Sequence, residues 1–370
     1  MTVLFDHQTF SLQEYGGISR YICELMTGIE QFEQQQAQLS LRWSNNVHLT
    51  TSGFPVKPFF QATNVYKKRS LLYQLNKKFC QFDIPRQAFD VFHATYYDPY
   101  FLPLLGSRPS VVTMHDLIHE RFGSRFNHLA NDQIVVKWRQ QLISRVSRFI
   151  AVSESTRNDL MEYLNIPAER IQVIHHGAPQ IGQFAIKPRP VVGPQAKDYL
   201  LFVGNRFSYK NFKPFLQAVA PLLSRHCLHL ICAGGGAFSR EEIRMLADLR
   251  LTERVSQVPI NDLVLSSLYR YARAFVFPSL YEGFGLPILE AFGCECPCAV
   301  SETSSLPEVA GSAAVYFNPE DQESMTHSVE RLVLDDSLRN ELVAKGNQQL
   351  LRFSWKETAQ KTTDLYRSLS

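Results

Sequence analysis

Short apolar runs of β-forming residues punctuate this chain from end to end, and stretches of helical periodicity separate them. Thr2-Val-Leu-Phe5, Leu39-Ser-Leu-Arg-Trp43, Asp90-Val-Phe-His-Ala94, Ser110-Val-Val-Thr-Met114, Phe149-Ile-Ala-Val152 and Ile171-Gln-Val-Ile174 read as strands of a first series. Between them, Tyr15–Leu25 sets Ile18, Ile22 and Leu25 on one helical face, and Asn131–Val146 does the same through Ile134, Trp138, Leu142 and Val146. Such alternation predicts an α/β fold with parallel sheets covered by helices on both faces. The pattern breaks between Pro179 and Asp198, where Pro188, Pro190, Pro194, Gly182 and Gly193 leave no sustained periodicity. It resumes at Tyr199-Leu-Leu-Phe-Val203 and runs on through Leu228–Cys232, Val255–Val258, Ala274–Phe277, Pro297–Ser301 and Ala314–Phe317. A chain of 370 residues favours about two domains. The expected division is 1–180, a linker at 181–198, a second domain at 199–352, and a terminal helix at 353–370.

Composition narrows the function classes. An apolar fraction of 45% and a charged fraction of 20% are globular values. A net charge of +3 gives no case for a nucleic-acid partner. No run approaches the roughly 20 apolar residues of a membrane span, and the amino terminus enters a strand without a signal-peptide pattern. Seven cysteines, an odd number, suit reduced thiols and a cytoplasmic protein. Cys294-Glu-Cys-Pro-Cys298 lacks the two-residue spacer of a zinc knuckle and reads as buried small residues, so no metal is expected there.

The stretch from Pro278 to Glu290 carries the most chemistry. Pro278 ends the strand at Phe277, Gly283 and Gly285 flank Phe284 in a turn, and a helix starts near Leu286 with Pro287 in its first turn. Strand, glycine turn and helix are how an open α/β sheet offers backbone N–H groups to a phosphate. Glu282 and Glu290 bracket the turn. As carboxylates they suit paired sugar hydroxyls, or else they are solvated surface residues. Gly204-Asn-Arg-Phe-Ser-Tyr-Lys-Asn211 sits in a similar place and offers Arg206 and Lys210 to an anion. Gly16-Gly17 fall between the first strand and its helix, as a phosphate loop or a tight turn would. Arg20, one turn on, reads equally as a phosphate contact or an exposed helix residue. Gly234-Gly-Gly236 lacks the spacing of a dinucleotide fingerprint and reads as a tight turn.

The Glu282-x(7)-Glu290 spacing and the run Ala299–Gly311 resemble the retaining family 4 nucleotide-sugar glycosyltransferases, also called glycosyl transferases group 1. That resemblance implies a GT-B fold, in which two facing Rossmann-like domains enclose a cleft and the final helix crosses back onto the first domain. It implies transfer of a hexose from a nucleotide-diphosphate sugar, GDP-mannose-like, to a hydroxyl of a glycan or lipid-linked glycan, without a metal or other cofactor. By the same resemblance Arg206 and Lys210 hold the diphosphate together with the N–H groups at Gly283, Phe284, Gly285 and Leu286. Glu290 then holds the ribose and Glu282 the sugar, while Gly16 and Gly17 face the donor. The family arginine directly follows the glycine, where this chain has Asn205, so Arg206 is a displaced substitute. His115 matches the family's "Thr-x-His-Asp" histidine, which faces the sugar and acceptor; a structural histidine at a strand end is the other reading. Mannose- or rhamnose-type surface-polysaccharide transferases are the nearest in pattern. The alternatives are a GT-B nucleotide-sugar epimerase, a phosphorylase, and a non-catalytic sugar-binding protein.

One segment stands apart. Lys57, Lys67, Lys68, Arg69, Lys77 and Lys78 are interleaved with Phe59, Phe60, Tyr66, Tyr73 and Phe79. Such a mixture suits a solvated insertion with packed rings, or else peripheral contact with an anionic membrane at its cytoplasmic face.

Overall fold

Both series of apolar runs form parallel sheets in the computed structural model, which describes residues 1–59, 65–126, 133–179 and 198–370. The first sheet contains β1 (Thr2–Phe5), β2 (Gln36–Leu39), β3 (Val91–Ala94), β4 (Ser110–Met114), β5 (Arg148–Ala151) and β6 (Ile171–Val173), in the order β2-β1-β3-β4-β5-β6. The second contains β7 (Asp198–Val203), β8 (Leu228–Ala233), β9 (Val255–Val258), β10 (Ala274–Phe277), β11 (Cys298–Ser301) and β12 (Ala314–Phe317), in the order β12-β11-β10-β7-β8-β9. Counted within its own sheet the second order is 6-5-4-1-2-3, the Rossmann arrangement. Every residue of β3, β4, β8, β10 and β11 is buried, which is why these strands read as unbroken apolar runs in the sequence.

The chain forms two units, Met1–Gly177 with Ser354–Ser370, and Ala178–Phe353. In the first, the Gly17–Ile29 helix buries Ile22, Leu25, Met26 and Ile29 against β1, and the Trp355–Arg367 helix packs beside it. A Cβ on Gly28 would stand 2.7 Å from the Ala359 Cβ, so the glycine sets how closely these helices approach. In the second, the Phe212–Arg225 helix buries Phe212, Phe215, Leu216 and Val219 against β7 and β8. Caps read from sequence are present: Ser153 accepts from the Thr156 N–H, Asn261 accepts from the Val264 N–H, and Ser239 with Glu242 forms a reciprocal capping box.

The second strand differs from its expected place. Of the alternating Leu39–Trp43 run only Leu39 is in the ladder, and Gln36–Leu39 is the stretch that pairs with β1. This is an edge strand with Ala37 as its one fully buried residue, so its glutamines conceal it from an apolar pattern. The expected linker lies outside the described residues except for Asp198, the first residue of β7.

Candidate functional site

In the second unit, two turns rise at the point where strand order reverses, between β7 and β10. Open α/β sheets bind ligands just past the carboxyl ends of strands at such a switch point. After β7 comes Gly204–Asn211, with Gly204 at φ 113° and both Ser208 (φ 61°) and Asn211 (φ 58°) left-handed. After β10 comes Pro278–Gly285, and Gly285, at φ 114°, heads the Leu286–Gly293 helix. The turns are tied together: the Leu280 N–H donates to the Tyr209 carbonyl at 2.7 Å.

Lys210 and Glu282 meet across this tie, Nζ to Oε1 at 2.5 Å, with both side chains more than four-fifths buried. The Lys210 ammonium also lies 5.1 Å from the Tyr209 ring centre and 5.4 Å from that of Phe277. Glu290, one turn into the helix, accepts from the Tyr269 hydroxyl at 3.1 Å. Burial, then the Glu290 charge, pushes the Tyr269 hydroxyl well above its ordinary value, so it remains a donor. The structure therefore brings Lys210, Glu282, Gly283, Phe284, Gly285, Leu286 and Glu290 into one strand-end site.

Arg206, expected at the phosphate, makes its contacts within the protein. Its Nε donates to Glu242 Oε1 at 2.8 Å, and its Nη atoms donate to the carbonyls of Gly234 (3.1 Å), Gly236 (2.8 Å) and Ala237 (3.0 Å). Four of its five N–H donors are thus used within the protein.

Two serines went unassigned in the sequence reading. The Ser304 hydroxyl accepts from the Glu282 N–H at 3.0 Å, and the Ser305 hydroxyl reaches the carbonyls of Glu282 (2.9 Å) and Phe284 (2.7 Å). They follow β11, the neighbour of β10, so strand adjacency rather than sequence distance puts them beside the turn. Both lie in the family-like run Ala299–Gly311, which gave neither of them a role.

The first unit carries the remaining candidates. Gly16 caps the Gly17–Ile29 helix in an extended conformation, and the Gln13 side-chain carbonyl accepts from the Ser19 N–H at 3.1 Å. Arg20, half-buried, interacts with Glu24 one turn on. His115 directly follows β4, and its N–H donates to the Tyr97 hydroxyl at 3.1 Å. Its ring stands edge-on to Tyr21 (centroids 5.2 Å, 84°) and near His176 (5.7 Å). Burial pushes the His115 pKa down to about 4, so the ring is neutral at pH 7. Below it the Arg139 guanidinium covers the Tyr97 ring at 4.3 Å and pairs with Glu120 at 2.7 Å.

Cys294, Cys296 and Cys298 are free and buried. Burial pushes all three thiols up, that of Cys294 to about 12, so they behave as neutral small side chains. Among the described residues no group of three His, Cys, Asp or Glu side chains is arranged to hold a metal ion. Nor is any helix among them long and apolar enough to cross a membrane.

The basic and aromatic segment divides in the structure. Phe60 lies outside the described residues, as do the side chains of Tyr66, Lys67 and Lys68. Phe59 and Tyr73 are buried, and Phe79 packs against the first unit's core. Lys77 pairs with Asp98 at 2.6 Å. These four residues are packed into the first unit, whereas Lys57, Arg69 and Lys78 of the same segment are exposed.

Comparison with known proteins places these features. A Glycosyltransferase Family 4 profile matches residues 15–179, and a Glycosyl transferases group 1 profile matches residues 186–349. The chain is similar to O-antigen chain mannosyltransferase B of Escherichia coli, 32% identical over 231 residues that make up 60% of each protein. Its fold matches sucrose-phosphate synthase from Thermosynechococcus elongatus (TM-score 0.79, 17% identity, 100% of this chain and 99% of that one). It also matches HepE from Anabaena, solved with UDP-glucose (TM-score 0.74, 16% identity, 100% of both chains). The architecture is of the GT-B type.

Proposed function

The chain belongs to the glycosyltransferase family that these two domains define, and from that premise we propose that it moves a hexose from a nucleotide-diphosphate sugar to an acceptor hydroxyl, retaining the anomeric configuration and using no metal. The single observation that carries this reading is the Lys210–Glu282 pair beside the Gly285 helix start, at the switch point of the Rossmann-ordered sheet. A cation, a hydroxyl acceptor and helix-start N–H groups are the chemistry that a sugar diphosphate requires.

The donor is assigned to the second unit. As the bond from the anomeric carbon to phosphate breaks, negative charge grows on the departing diphosphate. Lys210 and the N–H groups at Gly283 to Leu286 are the groups assigned to stabilise it. Glu282 then exchanges part of its contact with Lys210 for the sugar hydroxyls, and Glu290, oriented by Tyr269, takes the ribose hydroxyls. The acceptor is assigned to the first unit, where neutral His115 contacts the sugar or the acceptor and does not act as a nucleophile. Gly16 and Gly17 are assigned to the donor-facing edge of that unit. Similarity to a mannosyltransferase of O-antigen chains supports a GDP-mannose-like donor and a glycan or lipid-linked glycan acceptor.

Thermal unfolding with GDP, UDP, ADP and dTDP in turn, in EDTA, tests the assignment. A nucleotide at about 100 times its dissociation constant adds about 2.7 kcal/mol of stability. A shift with GDP alone is expected. A shift that needs added magnesium would overturn the metal-free mechanism, and no shift in either condition would overturn the donor site. Lys210→Ala is expected to lower kcat/KM roughly ten- to hundredfold, the loss of a charge-assisted bond of about 1.5–3 kcal/mol. Wild-type turnover in that variant would remove Lys210 from the mechanism.

A further inference from the structure

Arg206 is 4% exposed, although it sits in a turn at the mouth of the site. Its guanidinium lies at the centre of a small construction. Glu242 takes Nε–H through Oε1, and its Oε2 accepts the Ser239 N–H at 2.6 Å, so the carboxylate is held from both sides. Burial favours the neutral acid, yet the Ser239 N–H and Arg206 hold this carboxyl below its ordinary value. The Phe238 ring centre lies 4.7 Å from the guanidinium carbon. Three carbonyls, of Gly234, Gly236 and Ala237, converge on the Nη atoms.

Those carbonyls converge because Gly234, Gly235 and Gly236 are all left-handed, at φ 80°, 69° and 73°. Three consecutive left-handed residues are open only to glycine. Without the cation the converged carbonyls would repel one another with no donor between them. The loop also presses on the donor turn: a Cβ on Gly235 would stand 2.6 Å from the Gly204 carbonyl oxygen and 2.9 Å from Arg206 Nη1. The Gly204 N–H donates back to the Ala233 carbonyl at 2.9 Å. The turn that carries Lys210 is therefore fixed at its base by the Arg206 construction. It is fixed at its far end by Asn211, whose side-chain amide donates to the Pro319 carbonyl at 2.7 Å.

We propose that Arg206 is a positioning residue of the donor site, acting with Glu242 to lock the Gly234–Gly236 loop against the Gly204–Asn211 turn and so to set Lys210, without touching the diphosphate itself. This rests on the donor assignment above. It separates the two cations of the motif: Lys210 meets the ligand, and Arg206 meets the protein.

The test compares Arg206→Lys, Glu242→Gln, their combination and Lys210→Ala. Glu242→Gln removes no cation and keeps a residue suited to the capping box. If Arg206 positions, Glu242→Gln and Arg206→Lys each lower kcat/KM at least tenfold, and the combination is no worse than either alone. Both lower the ratio of nucleoside diphosphate to monophosphate affinity, as Lys210→Ala does, and neither lowers it further in a Lys210→Ala background. Hydrogen exchange supplies a readout that needs no ligand: peptides covering 204–211 and 234–238 gain exchange in both variants. Wild-type kinetics in Glu242→Gln, with a collapsed affinity ratio in Arg206→Lys, would show direct phosphate contact and overturn the proposal. Unchanged exchange in both turns would overturn it as well. Failure of the donor assignment looks different, because wild-type protein then binds no nucleotide and Lys210→Ala changes nothing.

Discussion

At the scale of single residues, burial decides what a titratable group can do. His7, His93 and His115 lie inside the first unit, and burial pushes their pKa values down to about 3, 3 and 4. For His7 the Lys77 charge adds to the effect, and for His93 the His115 ring does. Each folded pKa lies below the ordinary 6.5, so each histidine contributes stability that is fully present above about pH 6.5 and is lost as pH falls toward 3 to 4. Between pH 6.5 and 5.5 the loss is about 1 kcal/mol per histidine. His93 is the cleanest probe, since its Nε2 pairs with Thr113 Oγ1 at 2.9 Å and its Nδ1 with the Tyr366 hydroxyl. His93→Gln is expected to be less stable at neutral pH, yet to lose about 1 kcal/mol less than wild type between pH 6.5 and 5.5. Urea midpoints at the two pH values measure this, and an unchanged slope would mean that His93 titrates normally. Residue type and strand-end position pointed to Lys210, Glu282 and Glu290, and the family resemblance added His115. They were not enough for Arg206, because a sequence shows that a cation is present but not which carbonyls surround it.

At the scale of elements, the Val65–Asp83 helix shows how one segment divides between interior and surface. Tyr73 and Cys80 are buried, and Asn76 bonds to the Trp43 carbonyl and to Ser11. Leu71 (53% exposed), Leu75, Lys78 and Phe82 (60%) share the outer stripe, spaced four, three and four residues apart. The Arg86 guanidinium lies 3.6 Å from the Phe82 ring centre, so cation and ring present together. This stripe, rather than the buried rings, is what we propose meets an anionic membrane. Phe82→Ser combined with Lys78→Glu is expected to lower co-sedimentation with phosphatidylglycerol-containing vesicles several-fold, and added salt should weaken wild-type binding. Equal sedimentation of both proteins, insensitive to salt, would remove the membrane from the picture. The helix itself was visible from Leu71 to Phe82 in the sequence. Its inner and outer faces were not, because its apolar residues occur on both.

At the scale of the whole molecule, sequence order and structural membership part company at the carboxyl terminus. The Trp355–Arg367 helix follows the second unit in the chain and belongs to the first. It donates from Thr358 Oγ1 to the His175 carbonyl at 2.8 Å, bonds to His93 through the Tyr366 hydroxyl, and sets Trp355 edge-on to His176. A chain ended at Phe353 is expected to lose hydrogen-exchange protection at 17–29 and 91–94 while keeping it in β7, β8 and β10. Protection retained at 17–29 would show that the helix is dispensable. The amino-acid sequence by itself determined the α/β class, the two sheets and the two strand-end turns. These features depend on local periodicity, on buried apolar runs and on glycine conformations, all written within a few residues of where they act. Only the tertiary structure decided that Arg206 serves the Gly234–Gly236 loop, that Ser304 and Ser305 hold the Glu282 turn, and that the last helix, already expected on the first domain, bonds there to the His175 carbonyl and His93. Each of those depends on which distant groups the folded chain brings within hydrogen-bonding reach. A side chain's own chemistry does not reveal that.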